Sequence, residues 1–111
     1  MKVRILAIEF QKDADSLDVL MSLGEEERYF KFTRHFDTIN QQKIQVVNHD
    51  NSFWETFKFN QHIIFKVTRL VLRKYRGEEL KLPVDIGEFG NPEEALALQK
   101  SLENRVEKVK N

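Results

Sequence analysis

The sequence predicts an α+β domain. We expect a small, mostly antiparallel sheet of about three or four strands, packed on one long central helix, with an amphipathic helix at the C-terminal end. Strand-like alternation in the first half of the chain is one ground for this. A long apolar run opened by a helix-capping pattern is the second, and separation of the strand segments from the helical ones is the third. With 111 residues the chain is read as one domain, 1–111.

Taken in order, Val3 to Phe10 reads as a strand. Val3, Ile5 and Ala7 alternate with Leu6, Ile8 and Phe10, so both faces are apolar and the strand is expected to be central. In QKDADSLDVLMSLG, Asp15 or Ser16 can cap a short helix that stops at Gly24, with an irregular loop as the competing reading. Glu25-Glu26-Glu27 is a solvated break. Beyond it Phe30 and Phe32 alternate against Tyr29, Lys31 and Thr33 in a half-buried strand. DTINQQ is a polar turn, and Lys43 to His49 forms a further strand with Ile44 and Val46 on one face.

Asn51-Ser52-Phe53-Trp54-Glu55 carries a capping-box pattern, with Ser52 and Glu55 as the reciprocal pair. From there one helix of roughly 36 Å is predicted to run to Arg76, ended by Gly77. Leu80, Leu82, Val84 and Ile86 have strand periodicity, and Pro83 places that strand at an edge. GEFGNP is a turn, with Phe89 tucked onto the core. Asn91 and Pro92 open the last helix.

Composition narrows function. The formal charge is zero, 32% of residues are charged and there is no cysteine. That excludes disulfides, thiolate nucleophiles and cysteine-ligated zinc. The apolar run in MKVRILAIEF is too short for a signal-peptide core or a membrane span, so a cytoplasmic protein with no membrane association is expected. With four glycines the chain carries no phosphate-binding loop, and no cofactor is expected.

Two surfaces stand out. On a single helical wheel, Lys58, Lys66, Arg69, Arg73 and Arg76 fall in one arc of about 80° together with Glu55 and His62. Such a stripe is either the solvated side of a buried helix, a contact for an acidic partner, or a rail for nucleic-acid phosphates. In the last helix Leu98, Leu102, Val106 and Val109 form a narrow apolar seam suited to docking or to self-association. His35, Asp37, His49, Asp50 and His62 could serve a hydrolase or nuclease only by converging on one atom, and no metal-ligand spacing links them.

The expected function is therefore that of a non-enzymatic interaction or assembly module whose partner is a second copy, with another protein as a further partner. Nucleic-acid binding is the alternative and His/Asp chemistry the third reading. The sequence resembles no recognised family.

Overall fold

The computed structural model describes residues 1–90. The predicted last helix and its seam of Leu98, Leu102, Val106 and Val109 lie outside the described residues. The described chain forms β1 (Lys2–Phe10), β2 (Ser16–Leu23), β3 (Glu26–Ile39), β4 (Gln42–His49), α1 (Asn51–Phe57), α2 (Gln61–Tyr75) and β5 (Val84–Glu88). The strands make one five-stranded antiparallel sheet in the order β4-β3-β2-β1-β5. This corrects the predicted architecture in two ways: the sheet is larger than expected, and no long central helix supports it.

The added strand is β2. Leu17, Val19, Met21 and Leu23 are buried in strict alternation, which is a strand period. Leu20 on the opposite side completes an i, i+3, i+4 set with Leu17 and Met21, and that imitates a helix. Gly24 is not a helix stop. With φ of 62° it takes the first position of the two-residue turn between Leu23 and Glu26, where a hairpin of the II′ kind needs glycine. The β3–β4 turn places Asn40 and Gln41 at φ of 52° and 66°, as a I′ hairpin requires.

β1 contains a bulge between Ile5 and Ala7. The extra residue resets the alternation, so Val3, Ile5, Ile8 and Phe10 all face the helices while Arg4 and Glu9 face away. The apparent two-sided apolarity of β1 is this change of phase. The strand is nevertheless internal, with β2 on one side and β5 on the other.

The long helix is two helices. Asn60, at φ −132° and ψ 59°, leaves helical geometry between them. Its buried side chain accepts a hydrogen bond from Gly90 N at 2.8 Å, so the break is tied to the end of β5. Asp50, rather than Ser52, caps α1: its Oδ1 accepts from Phe53 N at 2.8 Å.

Both helices lie on one side of the sheet. Phe53 and Phe57 of α1 interlock with Phe30 and Phe32 of β3 at ring separations of 5.0 to 5.6 Å. Ile63, Val67, Val71 and Tyr75 line the inward side of α2 at intervals of four residues, as a helix needs to keep one face inward. Phe89 packs on Phe57 at 5.9 Å, and its N–H donates to Met1 O at 2.7 Å. The strand predicted around Pro83 is an edge strand, although it begins only at Val84. No helix among the described residues is long and apolar enough to cross a membrane.

Candidate interaction surfaces

Since α1 and α2 share one side, no described element covers the opposite face of the sheet. Register and alternation fix what stands on that face. Across β1, β2 and β3 a middle row runs from Leu6 and Ala7 through Leu20 to Tyr29, since Ala7 pairs with Leu20 and Leu20 with Tyr29. Leu6, Ala7 and Leu20 are half-buried by their neighbours, and Tyr29 is 68% exposed. At the β2–β3 turn end, the adjoining row is Arg4, Ser22 and Glu27; at the other end it is Glu9, Asp18 and Lys31.

An apolar row on the solvent side of a sheet is costly to leave in water, at about 25 cal/mol per Å². The charges around it are of both signs: Arg4 and Glu27 on one row, and Glu9, Asp18 and Lys31 on the other. Among the described residues Arg4, Glu9, Glu27 and Lys31 make no ion pair within 4 Å, whereas Lys2 reaches Asp85 at 3.4 Å at the β5 rim. There the Asp85 carboxyl is held below its ordinary range, chiefly by the hydrogen bond it accepts from Gly87 N and secondarily by Lys2.

A second feature lies where β3 and β4 run on past β2, which pairs with β3 only as far as Thr33. At the root of this arm the Arg34 guanidinium stacks on Tyr75 at 4.6 Å and pairs with Asp15 at 3.1 Å. The Tyr75 hydroxyl donates to Asp15 O at 2.8 Å. Burial raises the Tyr75 phenol above its ordinary value, with Arg34 pulling the other way. The node joins the β1–β2 turn, the arm and the end of α2. Farther out, Lys43 stands over Phe36 at 4.7 Å.

The residues of the predicted stripe are only partly brought together. Lys66, Arg69, Arg73 and Arg76 follow one another along the outward side of α2, beside Phe65, which is 54% exposed. Lys58 falls in the break, pairs with Glu55 at 3.0 Å and stands over Phe59. Arg73 lies 3.5 Å from Glu78. His62, placed by a single wheel on the solvent side, is buried, and its Nε2 lies 3.1 Å from Glu88 O.

The His/Asp set does not form one site. His35 and Asp37 share the uncovered side at 3.4 Å. His49 faces the other way, against Phe32 and Phe53, and Asp50 is occupied as the α1 cap. Among the described residues no group of three or more His, Asp or Glu side chains could hold a metal ion.

The uncovered face was missed from sequence. Its one available signal was Leu20, an apolar residue on the polar side of the alternation in SLDVLMSL. The bulge that sets Leu6 and Ala7 beside Leu20 has no such signal. No protein-family model matches the chain, and no curated protein matches it in sequence.

Proposed function

We propose that the chain is a non-enzymatic interaction module that assembles through the uncovered face of its sheet with a second copy of itself. The observation that carries this reading is the Leu6, Ala7, Leu20 and Tyr29 row on a face with no described cover. Surrounding charges of both signs suit a partner with the same pattern. The reading is framed for the cytoplasm, with which a cysteine-free chain is compatible.

Sedimentation equilibrium over a wide concentration range tests it. The expected result is a reversible dimer that Leu20→Glu converts to monomer while the circular dichroism spectrum is retained. A wild-type chain that stays monomeric at every concentration overturns the reading.

A second reading is supported by the run of Lys66, Arg69, Arg73 and Arg76 on the outward side of α2 beside exposed Phe65. Successive cations with a neighbouring aromatic suit a single-stranded nucleic acid. Fluorescence anisotropy with a labelled oligonucleotide would then show binding that weakens steeply with salt and is abolished in R69E/R73E. Binding that is absent at low salt, or insensitive to salt, ends this reading.

A further inference from the structure

Resting on the self-assembly reading, the geometry points to one register for the dimer: two sheets face to face about a twofold axis that runs parallel to β2 and passes over Leu20. Such an axis lays β1 of one copy over β3 of the other and keeps each row over the same row. Arg4 then faces the partner's Glu27, Glu9 faces the partner's Lys31, and Leu20 meets its own counterpart. Tyr29, the bulkiest side chain of the middle row, lies over the partner's Ala7, the smallest.

Two features of the face, together with the spacing of packed sheets, argue for this arrangement. The charges Arg4, Glu27, Glu9 and Lys31 sit at the corners of the apolar row, so every like-charged corner is moved onto an opposite one, while Asp18 meets its own counterpart on the axis with a Lys31 of each copy beside the pair. Packed sheets stand about 10 Å apart, a gap that an arginine or lysine and a glutamate reaching from opposite sides can close. Large-on-small pairing of Tyr29 with Ala7 fills the middle row, whereas an axis perpendicular to the strands stacks Tyr29 on Tyr29 and Ala7 on Ala7.

The size of the face sets the strength of the contact: β1, β2 and β3, the strands that overlap in this register, stand about 4.8 Å apart over about seven residues and cover roughly 350 Å² in projection, so the dimer is a weak and reversible one.

The perpendicular axis also pairs opposite charges, but different ones: Arg4 with Glu9 and Glu27 with Lys31, with Asp18 over Ser22. Charge exchange separates the two registers. In the proposed register R4E weakens the dimer about tenfold or more, because the contact occurs twice about the axis, and R4E/E27R restores it. Restoration by R4E/E9R instead of R4E/E27R overturns this register while leaving self-assembly intact. Single-cysteine variants provide an independent measurement, since the chain has no cysteine of its own.

With a short bismaleimide, L20C is expected to give a covalent dimer at dilute protein and F65C, on the outward side of α2, is not. A dimer cross-linked through F65C and not through L20C overturns the face itself. A wild-type monomer whose L20C variant labels slowly would assign the face to residues 91–111 of the same chain, and overturns both the register and the reading it rests on.

Discussion

Replacing Asp50 by alanine tests how the first helix is attached to the sheet. Asp50 holds two backbone donors at once: Oδ1 accepts from Phe53 N at 2.8 Å and Oδ2 from Lys31 N at 2.9 Å. Its own N–H donates to Lys31 O at 2.9 Å, so the residue extends the β3–β4 ladder by one step before opening α1. Loss of a helix cap costs about 1 kcal/mol, and loss of a charge-assisted bond to a strand N–H about 1.5 kcal/mol. D50A should therefore lose about 2–3 kcal/mol, or roughly 10 °C in Tm for a domain of this length.

Thermal unfolding followed by circular dichroism reads this directly. D50N keeps one acceptor and should fall about midway. S52A should stay within about 0.5 kcal/mol of wild type, because the exposed Ser52 side chain caps nothing. If S52A costs as much as D50A, the cap belongs to the capping-box residue and the reasoning is refuted.

Three other outcomes are expected. Phe57→Ala empties a fully buried site among Phe30, Phe53 and Phe89 and should cost about 3–5 kcal/mol in urea denaturation, whereas Phe59→Ala, at 81% exposure, should cost less than about 0.5 kcal/mol. Tyr75 has a phenol raised by burial, so its contribution is complete below the ordinary value of 10.0 and is lost as pH rises through the folded-state value. Y75F should accordingly flatten the alkaline limb of stability against pH, while giving up about 0.5–1.5 kcal/mol at neutral pH for the bond to Asp15 O. Deleting Ala7 removes the bulge but leaves Leu6 opposite Leu20 and Ile8 opposite Val19, so Ile8 and Phe10 stay inward and near-ultraviolet circular dichroism should show fixed aromatic packing retained.

What the sequence made legible follows the range of each signal. Hairpin alternation in β3 and β4 is local, and Phe30, Phe32, Ile44 and Val46 disclosed both strands. The edge position of β5 followed from Pro83, whose missing N–H is a property of a single residue. In SLDVLMSL the same letters satisfy two periods, and only pairing on both sides, Leu17 with Phe10 and with Phe32, decides for a strand. The break at Asn60 depends on Gly90, thirty positions away, which no window over the helix contains. His62 falls with Lys66, Arg69 and Arg73 even on a wheel of α2 alone; it is buried because the first turn of α2 meets the end of β5, where its Nε2 lies 3.1 Å from Glu88 O. The candidate face depends on the most distant facts of all, a bulge and the placing of both helices on one side, so Leu20 alone hinted at it.

The strand order has a consequence for how the chain is made. From β1 to β4 every partner is the next strand along, so the first 49 residues can pair as they leave the ribosome. The second edge of β1 is different: it waits for Val84–Glu88, which come only after both helices. Until then Val3 and Ile5 border an open edge, the arrangement that invites pairing with another nascent chain. Synthesis rate through α1 and α2 therefore sets how long that edge stays open, and crowding of several copies on one message is the condition under which misassembly would begin.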